Sequence, residues 1–199
     1  MVLLQKPSEQ KIYSFLASQQ NLPFSYAEVG ASREGAPSGY TMDHNRVRLG
    51  EGPEAFTRAV EAVQRWEMFH LDWLQLLWPD VPIQVGVIVG VLVHHFAFWS
   101  LNACRIVYTI EEEGPVRSRY GFAYGTLPEH AECGEERFGV EWDREDNSVW
   151  YDLFAFSRPN HFLVWSGYPL SRILQKRFAR DSGRAMAKAV SEPLRHGGF

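Results

Sequence analysis

From Trp73 to Ser157 the chain alternates apolar and polar residues with a period of two, in six runs separated by breaks of hairpin length. The runs are Asp72 to Trp78, Val85 to His95, Trp99 to Glu112, Arg117 to Thr126, Gly134 to Trp142 and Ser148 to Ser157. Period two belongs to the β-strand, whose side chains point alternately to the two faces of a sheet. The breaks carry turn chemistry: Pro79-Asp80, Glu113-Gly114-Pro115, and Asp143 to Asn147. Parallel neighbours need crossovers of a dozen or more residues, so connections this short dictate an antiparallel meander. An earlier run, His44 to Leu49, alternates Asn45, Val47 and Leu49 against His44, Arg46 and Arg48. The expectation is therefore a sheet of about seven strands.

Helical spacing brackets this sheet. Pro53 suits a first helical position after Gly50-Glu51-Gly52, and Phe56, Ala59, Val60, Val63, Trp66 and Phe69 recur every three or four residues, predicting one helix down to Met68 and Phe69. A long closing helix is predicted from Gly167 to Val190, with Leu170, Ile173, Leu174, Phe178 and Met186 on its apolar face, ended before Pro193. At the other end Ser8 caps an amphipathic stretch to Gln19, and Gly30, Gly35, Pro37 and Gly39 follow. Residues 1–40 thus read as an N-terminal helical arm and residues 41–199 as one domain. The class is α+β: a strongly curved antiparallel sheet wrapped around the last helix buries one face of each.

Composition bounds the partners. A chain of 199 residues is long enough for a real core. With 20 Lys plus Arg against 24 Asp plus Glu, it lacks the basic excess that phosphate backbones demand, so nucleic acid is not expected. The longest apolar candidate, Val81 to Trp99, is interrupted by Pro82, Gln84, two glycines and His94-His95, so no membrane span is expected. The opening residues lack the pattern of a secretory signal, which places the protein in the cytoplasm. Cys104 and Cys133 cannot make a disulfide framework or a four-cysteine zinc site, and are expected to remain buried thiols. The unusual feature is aromatic content: 7 Trp, 8 Tyr and 13 Phe.

Several segments carry a resemblance: Tyr26-Ala-Glu28-Val-Gly30, Arg48-Leu-Gly-Glu-Gly52, Phe56, Trp66-Glu-Met-Phe69, Gly125-Thr-Leu-Pro-Glu-His130-Ala-Glu-Cys-Gly134-Glu-Glu136-Arg-Phe138, Ala155-Phe-Ser157-Arg158-Pro159, and Leu174-Gln175. Through them nearly the whole chain resembles an uncharacterised bacterial and plant family, catalogued as a domain of unknown function. That family is grouped with the START and birch-pollen-allergen helix-grip superfamily. The resemblance implies a helix-grip fold with a cavity between sheet and last helix, and a small hydrophobic or amphipathic ligand held there. It brings no established reaction.

The densest run of chemistry-bearing residues, Gly125 to Phe138, sets His130, Glu132, Glu135 and Glu136 in and beside one turn. By alternation Glu136 shares a face with Phe138, Val140 and Trp142, and Glu135 shares the other with Arg137, Gly139 and Glu141. A carboxylate on the apolar side needs a partner, which Arg158 or His130 could supply; an acid of raised pKa would be its catalytic form. His130-Ala-Glu132 has the opening of a zinc deaminase motif, but the Pro-Cys-x-x-Cys half is missing. His94 and His95 are adjacent on a strand and face opposite ways, so no metal site is expected there. Gly50-Glu51-Gly52-Pro53 lacks the Lys-Ser/Thr of a phosphate loop, and no nucleophile elbow is present. No cofactor is expected.

Tyr120, Phe122 and Tyr124 share one strand face. In the last strand Trp150, Phe154 and Phe156 lie on one face and Tyr151 and Leu153 on the other, so both faces must be covered, the outer by the arm or by another subunit in a homodimer. The candidate ligand contacts are thus Tyr120, Phe122, Tyr124, Phe138 and Trp142 from the sheet, and Leu174 and Phe178 from the last helix. His130, Glu136 and Arg158 are the polar contacts near one end. The alternatives are an enzyme using the same cavity for acid-base chemistry, as cyclase, dehydratase or hydrolase, or an interaction module without a ligand.

Overall fold

The alternating region becomes one antiparallel sheet in a computed structural model that describes residues 1–78, 80–95, 98–160 and 168–192. Its strands are β1 (Val2–Leu3), β2 (Thr41–Glu51), β3 (Leu74–Leu77), β4 (Ile88–His95), β5 (Phe98–Glu113), β6 (Arg117–Thr126), β7 (Glu132–Asp143) and β8 (Ser148–Pro159). Three α-helices accompany them: α1 (Glu9–Gln19), α2 (Gly52–Gln64) and α3 (Tyr168–Ser191). The order across the sheet is β2-β8-β7-β6-β5-β4-β3, with β1 added to β5. The meander β3 to β8 is thus as expected, and β2 closes on β8 to form the far edge. Gly167, Pro79 and Pro193, at which the sequence placed a helix start, a turn and a helix stop, lie outside the described residues.

Curvature comes from the long strands. The pairing of β2 with β8 shifts register between Arg48 and Gly50, and that of β5 with β6 shifts between Ile106 and Tyr108. Such bulges bend a strand and raise its twist. β5 consequently serves two neighbourhoods: Phe98 to Arg105 pairs with β4, and Cys104 to Glu113 pairs with β6. Beyond the end of β6, the two residues of β1 pair with Trp99 and Ser100. The alternating runs did not foretell β1, because two residues cannot display a period.

The helix α2 is shorter than the spacing predicted. It ends at Gln64, Trp66 adopts a left-handed conformation (φ 58°), and Glu67–Phe69 make a short 3-10 turn. The break turns Trp66 fully into the core, where its indole N–H donates to the carbonyl of Val81 at 3.2 Å, and its ring lies 4.8 Å from that of Phe122. β4 likewise starts at Ile88 rather than Val85, since Gly86 (φ 89°) is a turn residue.

Across the concave face lies α3, and its two ends meet different surroundings. Met186 and Val190, near its C-terminal end, are buried with Ala55, Ala59 and Val63 of α2 in a solid core. There α3 approaches β2 so closely that a Cβ on Gly183 would stand 2.7 Å from Val47 Cγ2, and Ser182 shares a 2.7 Å hydrogen bond with Tyr151. The N-terminal half of α3, by contrast, covers a hollow.

The convex face is covered by the arm. Tyr26, Phe24, Ala31, Ala36 and Tyr40 pack on Phe154 and Phe156, so the chain itself supplies the cover that the two-sided apolar strand required. Gly125 makes room for it, since a Cβ there would lie 2.1 Å from the Tyr26 hydroxyl. Towards the other end of β7 the same face is polar, an ion-pair ladder in which Glu141 meets Arg46, Arg117 and Arg119.

Candidate functional site

Between the concave sheet and the first half of α3 lies a cavity of about 380 Å³. Its sheet wall draws on every strand from β2 to β8, with Val91, Asn102, Tyr124, Glu136 and Leu153 among the inward positions. Leu174, Phe178 and Ala179 of α3 roof it, and Phe69 and Trp73 close one side. The volume falls at the lower end of the range for small-molecule sites.

Glu136 projects into this space as the alternation predicted, but not towards a cation. The hydroxyl of Tyr124, directly across in the β6–β7 pairing, donates to Glu136 Oε2 at 2.8 Å. Burial, the neighbouring carboxylates of Glu132 and Asp43, and the countering hydrogen bond from Tyr124 together push the Glu136 carboxyl up to about 7. Burial raises the Tyr124 hydroxyl well above its ordinary range. Arg158 lies on the other face of the sheet, its guanidinium 4.5 Å from the centre of the Tyr40 ring, because it sits opposite outward-facing Cys133. The expected Glu136–Arg158 pair therefore does not form. His130 is folded back on the backbone of Glu132, whose N–H lies 3.1 Å from Nδ1, and burial pushes its imidazole down to about 4.

Of the ten residues that the sequence nominated, Tyr124, His130, Glu136, Leu174 and Phe178 line the cavity. Phe122 and Phe138 stack on one another at 5.1 Å in the solid core below it. Tyr120 sits near the far end, where the amide of Gln64 donates to its hydroxyl at 3.4 Å, and Trp142 packs on Phe56 and under Arg144.

Other lining residues were not nominated. Glu132 is buried at the start of β7 and accepts from Ser171 and Gln175 of α3, while Gln175 also donates to Ser157 Oγ at 3.0 Å. This group ties the first turns of α3 to the sheet. Asp43 is held by Arg172, with Nη2 at 2.6 Å from Oδ1. Asn45 and Asn102 also reach the cavity. The available signal was polar residues on apolar faces: Asn45 alternates with Val47 and Leu49, and Asn102 with Cys104 and Ile106.

On the convex side, one residue away, Glu135 is fully engaged. It accepts from the Tyr26 hydroxyl (2.7 Å), the N–H of Gly30 (2.7 Å), the N–H of Ser32 (3.1 Å) and the Ser32 hydroxyl. Arg137 adds a 2.5 Å bond to the Ser32 carbonyl. These bonds fasten the arm to β7.

No three His, Cys, Asp or Glu side chains come together for a metal ion among the described residues. Cys104 and Cys133 are free and buried, and burial raises the Cys104 thiol far from reactive values. Among the described residues no helix is long and apolar enough to cross a membrane.

The family model for a domain of unknown function, DUF1990, matches residues 25–185, which include the last part of the arm, strands β2 to β8 and most of α3. The chain belongs to this family. The UPF0548 protein of Dictyostelium discoideum is 34% identical over 217 residues, covering 98% of this chain and 100% of the relative. The UPF0548 protein of Deinococcus radiodurans is 36% identical over 204 residues, covering 96% and 99%. These two relatives match this chain nearly end to end. Among solved structures, Ara h 8.0201 is similar over 76% of this chain and 98% of its own, with 11% identity and a TM-score of 0.49. The helix-grip arrangement of this family member stands on its own topology: a curved meander, edge strand β2 on β8, and α3 across the concave face.

Proposed function

We propose that this family member binds a small hydrophobic or amphipathic molecule in the cavity between the sheet and α3. The observation that carries the reading is the contrast along α3: the same fold is solid around Met186 and hollow around Leu174 and Phe178. Protein interiors are close-packed, and a void of this size forfeits dispersion contacts that the chain fills elsewhere with Phe and Trp. Selection for an occupant accounts for keeping it open. Apolar walls with a few convergent polar groups fit an amphipathic guest. Free buried thiols fit a reducing, cytoplasmic setting.

The test is native mass spectrometry of gently purified protein, followed by solvent extraction and identification of whatever is released. A stoichiometric apolar or amphipathic molecule is the expected result. A clean apo mass, with no uptake from a lipid and metabolite extract added back, would overturn the reading.

A second reading, acid-base catalysis in the same cavity, is favoured by Glu136. A carboxyl poised near 7 and hydrogen-bonded to Tyr124 can donate or accept a proton at physiological pH. Turnover of the extracted molecule that is lost in Glu136→Gln, with binding retained, would separate an enzyme from a carrier.

A further inference from the structure

The cavity's polar inventory is one-sided. Three carboxylates, Asp43, Glu132 and Glu136, reach it from inward positions; Glu135 borders it too but is taken up by the arm on the convex side, and among the described residues no Lys or Arg lines it. Two of the three are spent. Both oxygens of Asp43 are taken by Arg172, and those of Glu132 by Ser171 and Gln175. Glu136 differs: Tyr124 occupies Oε2, and among the described residues Oε1 accepts nothing.

Two further polar groups stand on the same walls. Asn102 is only 8% exposed and sets an amide on the wall, its nitrogen donating to Ser100. His95 lines the cavity too, and its Nδ1 is buried without a partner among the described residues. A buried acceptor left unpaired costs about 1–3 kcal/mol, so an occupant that brings donors to such groups gains more than a plain hydrocarbon does.

The apolar walls reinforce the same preference. Tyr124, Phe69 and Phe178 present aromatic rings to the cavity, with Phe69 6.2 Å from Tyr124 and 5.5 Å from Phe178. Ring faces attract cations, and most strongly where water is excluded. A negatively charged head group would instead meet the carboxylates of Glu132 and Glu136, while the Arg172 guanidinium beside the cavity is already committed to Asp43.

We infer that the occupant is an organic amine with an apolar body, whose ammonium group is received by Glu136 beside the rings of Tyr124, Phe69 and Phe178. This rests on the proposal that the cavity holds a ligand, and it narrows that ligand's class: fatty acids and phosphate-headed lipids are excluded, and neutral alcohols are poor guests.

Three probes with one body and three heads test it: n-octylamine, n-octanol and n-octanoate, titrated calorimetrically into the full chain at pH 7.5. The amine is expected to bind at least tenfold more tightly than the alcohol, with no measurable binding of octanoate. In Glu136→Gln the amine's advantage should shrink below about threefold while octanol binding persists. Persistence of octanol binding in Glu136→Gln guards against a folding defect in that variant. Octanol or octanoate binding as tightly as octylamine would overturn the amine assignment and leave the cavity reading standing. A tenfold amine preference that survives in Glu136→Gln would overturn the role given to Glu136. Failure of all three probes to bind the unaltered chain would overturn both the assignment and the cavity reading.

Discussion

Glu136 keeps a proton that a carboxyl in water surrenders at pH 4.5, because burial strips its charge of water and the neighbouring carboxylates of Glu132 and Asp43 oppose it. The sign of the consequence is fixed by linkage. A carboxyl whose folded-state value is raised contributes its stability below pH 4.5 and loses it as pH climbs through about 7. Glu136→Gln removes that dependence while leaving Tyr124 an oxygen to donate to. Urea denaturation should therefore find the variant gaining on the unaltered chain by roughly 2–3 kcal/mol between pH 5 and pH 8. Parallel pH profiles for the two proteins would show that Glu136 is not desolvated as described. The inward direction of Glu136 was legible in the sequence because β7 pairs with both neighbours without a bulge, so alternation holds from Glu135 to Trp142. Its partner was not legible. Tyr124 is brought opposite by the register across the turn between β6 and β7, which no run of alternating residues specifies.

At the scale of elements, the strands and the long helix were written in their periods, and the failures fall where periodicity carries no information. Trp66 and Phe69 continue the spacing of α2, yet the helix stops before them because a left-handed turn at Trp66 delivers both rings to the core. The arm is a stronger case. Its helix α1 is visible in the sequence with Ser8 as cap, whose hydroxyl accepts from the N–H of Lys11 at 3.3 Å. Its fastening is not visible, since the donors to Glu135 come from an irregular segment with no repeat of its own. Glu135→Ala would leave two backbone N–H groups and the Tyr26 hydroxyl unpaired beneath the arm, costing about 3 kcal/mol or more. Limited proteolysis should then cut between residues 20 and 40 well before the sheet, whereas the unaltered arm resists. Equal resistance of both proteins would mean that the apolar contacts of Tyr26 and Tyr40 hold the arm without the carboxylate.

For the molecule as a whole, the division between a solid half and a hollow half was beyond the reach of the sequence. Phe122 and Phe138 share their faces with the cavity residues Tyr124 and Glu136, and pattern places them alike; only the path of α3 over the sheet decides which are packed and which are left facing space. Ala155, opposite Glu136 on β8, lines that space. Ala155→Leu should fill part of it, raising the melting temperature of ligand-free protein by about 2–4 °C while abolishing uptake of a bound molecule. A fall in melting temperature would instead indicate a site already packed, where added carbon causes strain. The anchor at Glu135 also sets a schedule for biosynthesis. Tyr26 and Glu135 are 109 residues apart, so the arm leaves the ribosome long before the strand that receives it. At about 5–20 residues per second this is a wait of about 5–20 seconds. During that interval Phe24, Tyr26 and Tyr40 have no sheet to cover, which makes the nascent arm a natural client for a chaperone and its docking a late event in maturation.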